Sequence, residues 1–211
     1  MLTVLLALTA LAPHPPSVEA DYDWACPPER HAVAAARLRA IRDEDQADRH
    51  GDPADDIIER DKARRREVAA LFGEGCLRTA QDHHDAALVF QHGQVPDHYY
   101  QAYLFARRAV ALGDEEASWL VPRAIDRYLL SSGYAQLFGS NFTCQQGEDG
   151  ERSCCMEPAA NGFTDEQRAA MGEPPLAEKL ASFAERMGEA EGRVCEGDRP
   201  DPPRGLFPGV W

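Results

Sequence analysis

Basic residues are few in this sequence, and its charge is strongly one-sided. Over 211 residues it has 36 Asp and Glu against 22 Lys and Arg, a formal net charge of −14 at pH 7. Nucleic acids and anionic membranes are polyanions, so we expect neither to be a partner of this chain. The content of 44% hydrophobic and 27% charged residues is typical of a soluble globular protein and not of a disordered one.

The sequence also lacks the complete short motifs of common enzymes and metal sites. It contains no G-x-S-x-G nucleophile elbow, no H-E-x-x-H motif and no Gly-rich phosphate-binding loop. It contains no C-x-x-C pair, which disfavours a zinc site relative to disulfides. We therefore predict neither a cofactor nor a metal ion.

No apolar run in the sequence is long enough to span a bilayer. Residues 1–12 are apolar except for two threonines, a Pro-rich stretch follows, and small residues at 18–20 suit cleavage before Asp21. This pattern predicts a signal peptide over residues 1–20, although no Lys or Arg precedes Glu29. A short hydrophobic N-terminal helix or a misassigned start is the alternative. We expect export to the periplasm or the cell exterior, with no membrane contact after cleavage.

Six cysteines form an even set, and an oxidising compartment would allow them to pair. They are Cys26, Cys76, Cys144, Cys154, Cys155 and Cys195. The set allows 15 connectivities, and the sequence does not choose among them. Because a ring between neighbouring residues is strained, we expect Cys154 and Cys155 to pair with different partners. Disulfides are expected to close the Gly-rich stretch 144–155.

Hydrophobic periodicity predicts an all-α protein, an irregular bundle of about six helices, and no strand. We expect one helical domain over 21–197, a disulfide-rich loop insert at 139–162 and a Pro-rich tail at 198–211. The tail ends in Leu206, Phe207, Val210 and Trp211. It is therefore predicted either to pack on the body or a partner, or to be a frayed terminus.

Individual helices can also be placed. Apolar spacing in the first two helices falls on Val33, Ala36, Ala40, Ile41, Ile57, Ile58, Val68 and Leu71. Residues 97–112 and 114–130 are predicted to form a tetratricopeptide-like helical hairpin turned at Gly113. Pro122 is expected to kink the second of these helices.

A helix over residues 79–93 carries polar residues among apolar ones. Asp82, Asp85 and His92 fall within about 80° of one another on a helical projection. Such an arc fits a catalytic acid–base group, a metal corner, a buried network that fixes packing, or simply the solvent edge. Asp126 and Arg127 form a second candidate, where an Arg more often ties a buried carboxylate or a helix end than binds substrate.

The chain resembles a known family through an ordered set of motifs. They are Gln46-Ala47-Asp48-Arg49, Asp61 with Arg65-Arg66-Glu67-Val68, Gly75, Thr79-Ala80-Gln81-Asp82, Ala86 to Gly93, Trp119-Leu120, Asp126-Arg127-Tyr128-Leu129, Gln136, Thr164 to Arg168 and Leu176-Ala177-Glu178. Over about residues 43–187 this set resembles the uncharacterised bacterial domain-of-unknown-function family numbered 6624. The resemblance implies a helical domain and no particular reaction.

The resemblance also singles out six polar residues as a candidate site. They are Asp82, Gln91, His92, Asp126, Arg127 and Gln136. The chain departs from the family pattern at His83, where Tyr is usual, and at Gly139-Ser140-Asn141, where Gly-Thr-Gln is usual. A site near those departures would be altered or lost. The cysteine-rich insert is not part of the pattern.

Two functional hypotheses follow. In the first, the protein is an exported helical interaction or binding module for an unknown protein partner or small ligand, and the polar residues form structural hydrogen bonds. In the second, it is a hydrolase-like enzyme with a polar site on helices 79–93 and 114–130. Asp82 or His92 would then be the general base, and Arg127 would stabilise an anion.

Overall fold

The computed structural model describes residues 26–50, 55–146, 150, 152–187 and 192–210. The predicted signal peptide over 1–20 and Trp211 lie outside these residues. The described part of the chain contains seven α-helices and one two-stranded sheet. The elements are α1 (Pro28–Ala47), α2 (Ile57–Gly73), α3 (Ala80–Phe90), α4 (Pro96–Ala111), α5 (Leu120–Ser131), β1 (Phe142–Gln146), β2 (Arg152–Met156), α6 (Asp165–Ala170) and α7 (Leu176–Met187). The prediction of a mostly helical fold is confirmed.

Helix α3 lies at the centre of the helical body, where it packs against α1, α2 and α4. Eight of its 11 residues are buried. Thr79 is its N-cap: the Thr79 side chain accepts from the Asp82 N–H, and the Asp82 carboxylate accepts from the Thr79 N–H. This reciprocal capping box starts the helix where the sequence predicts it.

The predicted buried faces of α1 and α2 are partly wrong. On α1 the buried residues are Ala34, Leu38, Ile41 and Asp45, whereas Val33 is 60% exposed. On α2 the buried residues are Val68, Leu71 and several charged residues, whereas Ile58 is exposed. Asp61 and Arg64 occupy buried positions because they pair with each other and with charged residues of α1, and the apolar residues alone therefore mark the wrong arc.

The helical hairpin of α4 and α5 is present, with Gly113 in the left-handed region at φ 100°. Its second helix is shorter than expected, because a 3₁₀ turn over Glu115–Trp119 precedes α5. Pro122 is the third residue of α5, where an α-helical N–H has no partner within the helix, so the predicted mid-helix kink is wrong. The likeness to tetratricopeptide hairpins stays a prediction.

The insert contains a β-hairpin, so the prediction that the chain has no strand is wrong. Strands β1 and β2 pair antiparallel from Phe142↔Met156 to Gln146↔Arg152. Each strand has only five residues, and none of the residues in β1 is fully buried. Such short strands lack the alternation of buried apolar and exposed polar residues from which strands are recognised.

All six cysteines are paired. The disulfides are Cys26–Cys76, Cys144–Cys154 and Cys155–Cys195. The prediction that Cys154 and Cys155 have different partners is confirmed. One disulfide ties the start of α1 to the segment before α3, one crosses the β-hairpin, and one joins the insert to the segment after α7.

The C-terminal tail packs on the helical body. Phe207 is 1% exposed and lies among Tyr100, Tyr103 and Tyr128, with ring centroids 6.0, 5.0 and 5.4 Å away. The Asp201 carboxylate accepts hydrogen bonds from two backbone N–H groups of the 161–162 turn. Packing on the body is therefore the correct one of the two predictions for this segment. None of the described helices is long and apolar enough to cross a membrane.

Candidate functional site

The polar arc of α3 faces α1. Each member pairs with an α1 side chain: Asp82 with His31 at 2.8 Å, Asp85 with Arg42 at 3.6 Å, and His92 with Asp45 at 2.8 Å. Asp82 and Asp85 are 3% and 1% exposed. The arc is therefore a buried network between two helices and not a solvent edge.

Three successive carbonyl groups at the C-terminal end of α3 are satisfied by side chains from three other helices. Arg127 of α5 donates to Gln91 O, Arg65 of α2 to His92 O at 2.7 Å, and Tyr99 of α4 to Gly93 O at 2.6 Å. Helix ends leave carbonyls without intrahelical partners, and they concentrate negative partial charge that cations stabilise. We call residues 91–93 with Arg65, Tyr99 and Arg127 the α3 terminus cluster.

His92 connects the α3 terminus cluster to α1. Its Nδ1 lies 2.8 Å from the Asp45 carboxylate, which is fully buried and also accepts from Gln46 and Arg49. Gly93 permits the close approach of α4, because a Cβ at this position would lie 2.3 Å from the Cβ of His98. The Gln-His-Gly motif thus marks the point where α1, α2, α4 and α5 meet the end of α3.

An ion-pair cluster joins α1 and α2 beside this point. Arg64, 5% exposed, contacts Asp48 at 2.6 Å and Asp61 at 2.8 Å, and Arg49 contacts Asp61 at 2.8 Å. Arg64 is not among the candidate residues predicted from the sequence, although a signal for it exists. Positions 64 and 61 lie four and seven residues before Val68, and thus on the buried face that Val68 defines.

Asp126 has a structural environment of its own. Its fully buried carboxylate accepts from the backbone N–H groups of Leu137, Phe138 and Ser140 and from the Ser140 hydroxyl, at 2.7 to 3.0 Å. Burial raises the pKa of Asp126, while these four donors favour its charged form. The carboxylate therefore fixes the chain that leads from α5 into the insert.

Gln136 fixes the other side of the same connection. Its side-chain amide donates to Asn141 O and to Glu157 O at 2.7 Å, and its Oε1 accepts from the Asn141 N–H at 3.0 Å. The residue is fully buried. All polar atoms of this side chain are thus used to join the two ends of the β-hairpin insert.

The six candidate residues consequently occupy different places. Gln91, His92 and Arg127 lie together at the α3 terminus cluster, while Asp126 and Gln136 hold the start of the insert. Asp82 lies ten residues before His92, about 15 Å along the helix axis. Among the described residues, no group of three or more His, Cys, Asp and Glu side chains could hold a metal ion.

An open cleft of about 390 Å³ lies next to the α3 terminus cluster. It is lined by Lys62, Arg65, Arg66, Ala69, Phe90, Gln94 and His98, and we call it the basic cleft. None of its lining residues is acidic. Arg65 and Arg66 form no ion pair with any described residue. A larger cleft of about 770 Å³ surrounds the Cys155–Cys195 disulfide, with charges of both signs on its walls.

His83 also projects into the core, where its ring lies 5.9 Å from that of Phe105. It is 7% exposed, and its Nδ1 has no hydrogen-bond partner in the described structure. Burial lowers the pKa of His83, and the charge of Arg108 lowers it further. The folded protein therefore holds this ring in its neutral form at a pH where a free imidazole would be protonated.

We predict that His83→Phe makes stability less dependent on pH. The unfolded chain binds a proton at His83 more readily than the folded chain, so the free energy of unfolding falls as the pH drops below about 6.5. In His83→Phe this part of the fall is absent, while the contact with Phe105 is kept. Urea unfolding at pH 7.5 and pH 5.5 measures the difference.

The matched control is His50→Phe, because His50 is exposed. This variant should keep the pH dependence of the wild type. An equal loss of stability between the two pH values in wild type and His83→Phe would contradict the prediction.

Comparisons with models of known protein families, with curated proteins and with solved structures found no match to this chain. The resemblance to the family numbered 6624 therefore stays a prediction.

Proposed function

We propose that the protein is an exported, disulfide-stabilised helical binding module, for a protein partner or small ligand, and that its conspicuous polar residues hold the fold. The observation that carries this proposal is the α3 terminus cluster. Arg127 is hydrogen-bonded to the end of a helix, and His92 joins α3 to a buried carboxylate of α1. These side chains form their hydrogen bonds with other groups of the protein, as structural residues do.

The hydrolase-like alternative has less support from the geometry. A general base and an anion-stabilising group must both lie close to the reacting atoms. Asp82 is bonded to His31 and to the backbone at the start of α3, about 15 Å from His92 by helical rise. His92 and Arg127 do lie together, but His92 is bonded to Asp45 and Arg127 to Gln91 O. Asp126 and Gln136 are fully buried and directed at backbone groups of the insert.

Export is proposed from the cysteine chemistry. Three disulfides fit a protein that folds in an oxidising compartment. The apolar stretch over residues 1–12 supports the same proposal.

The test is a His92→Ala variant studied for stability and for turnover together. Loss of the hydrogen bond leaves Asp45 with one partner fewer in the interior, so we expect the free energy of unfolding to fall by about 1–3 kcal/mol. Purified wild type and variant are then incubated with nitrophenyl esters, nitrophenyl glycosides and short peptides. Thermal shift reports binding and mass spectrometry reports products.

A binding module should raise its melting temperature with at least one ligand class and return that ligand unchanged. His50→Ala, a matched change at an exposed histidine, should affect neither measurement. Product formation that disappears in His92→Ala while the variant remains folded at the assay temperature would favour the hydrolase-like alternative over our proposal.

A further inference from the structure

We infer that the basic cleft is a binding site for a small organic phosphate, with Lys62, Arg65, Arg66 and His98 around the phosphate and Phe90 beside the organic group. The inference rests on the proposed binding function and adds the chemistry of the ligand.

Arg65 carries a buried positive charge at the wall of the basic cleft. Its side chain is 4% exposed and donates through Nη1 to His92 O at 2.7 Å, yet it contacts no carboxylate among the described residues. Burial lowers the pKa of Arg65, although the charges of Asp61 and Asp45, which form no ion pair with it, oppose this effect. The bond to His92 O fixes the guanidinium in place at the wall of the cleft. An anion in the cleft would supply the missing charge.

Positive charge is concentrated around the basic cleft, although the protein as a whole is acidic. Lys62, Arg65 and Arg66 lie within five consecutive residues of α2, and all three line the cleft. Glu59 pairs with Lys62 at 3.5 Å and is itself largely exposed, and the charges of Asp61 and Asp45 act on Arg65 without forming an ion pair with it. Elsewhere in the protein, arginines such as Arg37, Arg49 and Arg64 are each paired with carboxylates. The cleft is therefore a specific place for an anion on a surface that otherwise repels anions.

His98 contributes a neutral donor from α4. Its Nδ1 accepts from the Gln94 N–H at 3.2 Å, so the neutral ring carries its proton on Nε2. Burial and the neighbouring Arg65 lower the pKa of His98, while Asp97 opposes them. A phosphate bound beside Arg65 would accept a hydrogen bond from the Nε2–H of this neutral ring.

The cleft's walls indicate the rest of the ligand. Phe90, at the end of α3, and Ala69, on α2, supply the apolar part of the lining. A volume of about 390 Å³ lies within the range of small-molecule sites and exceeds what an isolated phosphate needs. Two arginines and a lysine provide more positive charge than one carboxylate would use, whereas a phosphate monoester carries nearly two negative charges at pH 7.

Isothermal titration of the purified protein at pH 7 with phenyl phosphate, benzoate and inorganic phosphate tests the inference. Phenyl phosphate should bind at least tenfold more tightly than the other two. Arg66→Gln should weaken its binding at least fivefold, because Arg66 lines the cleft without a hydrogen bond or ion pair to any described residue, and its loss should leave the fold intact. Arg39→Gln makes the same charge change at an exposed position of α1 outside the cleft and should have less than a twofold effect.

The possible outcomes separate the two proposals. Equal binding of benzoate and phenyl phosphate, equal weakening by Arg39→Gln and Arg66→Gln, or no binding at millimolar concentration would each overturn the phosphate site. The proposal of a binding module would then be judged separately, by the thermal-shift measurements with the esters, glycosides and peptides. Release of phenol from bound phenyl phosphate would keep the site and overturn a purely binding function.

Discussion

Replacing Asp126 by Ala is expected to lower the free energy of unfolding by about 4 kcal/mol, a large part of the stability of a typical domain. The carboxylate accepts four hydrogen bonds in the interior, and three of the donors are backbone N–H groups that the variant leaves buried without an acceptor. Water cannot replace the acceptor fully, because the carboxylate has no exposed surface. Urea unfolding followed by circular dichroism measures the effect.

Two further variants make the Asp126 experiment specific. Asp126→Asn keeps the size of the side chain but turns one acceptor into a donor that faces other donors, so we expect a smaller but clear loss. Asp198→Ala is the matched change at an exposed residue and should alter stability by less than about 0.5 kcal/mol. A loss below about 1 kcal/mol in Asp126→Ala would show that the connection between α5 and the insert does not depend on this carboxylate.

The roles of Asp126 and Gln136 illustrate how far the sequence could be interpreted. Both residues belong to the motifs that carry the family resemblance, and Asp126 also lies at the margin of an apolar helix face. Their partners are backbone groups of residues 137–141 and 157, which approach them only through the path of the insert. No local pattern encodes that path, so a candidate site could not be distinguished from a structural anchor.

Helix starts depend on local signals in the sequence. Thr79 and Thr164 begin α3 and α6 through capping boxes that involve residues only three positions away. The buried face of α2 was missed because charged residues occupy it, and their burial is tolerable only once Asp48 and Asp61 are brought to Arg64. The sequence pattern does not predict the β-hairpin, because its two strands are held together by hydrogen bonds to each other and by a disulfide.

The polar arc of α3 was recognised without its partners. Helical geometry alone groups Asp82, Asp85 and His92 on one side, and that grouping is correct. Which helix faces them is a tertiary property, and their partners are His31, Arg42 and Asp45 of α1. The sequence pattern therefore predicts a polar interface on this side of α3, but it does not identify the residues that face it.

Removing the Cys26–Cys76 disulfide is expected to have an effect of similar size to that of Asp126→Ala. The bond spans 50 residues, and the loss of chain entropy on closing such a loop corresponds to about 4 kcal/mol of stability. It fixes the start of α1 next to the start of α3, where His31 meets Asp82 and the Arg78 guanidinium donates to Cys26 O. The double variant Cys26→Ala/Cys76→Ala should therefore unfold at lower urea concentration and show faster amide exchange in the first turns of α1.

The Cys144–Cys154 bond provides the matched control, because it closes only ten residues and lies within the β-hairpin. Its double alanine variant should lose about 2.7 kcal/mol or less by the same entropy relation, with amide exchange changed in β1 and β2 and not in α1. Equal losses in the two variants, or an unchanged α1 in the Cys26→Ala/Cys76→Ala protein, would show that the contacts of α1 with α3 hold the N-terminal helix without the covalent link. A loss well above the value of about 4 kcal/mol expected from chain entropy in the Cys26→Ala/Cys76→Ala variant would instead mean that the polar interface between α1 and α3 depends on the disulfide to keep its partners aligned.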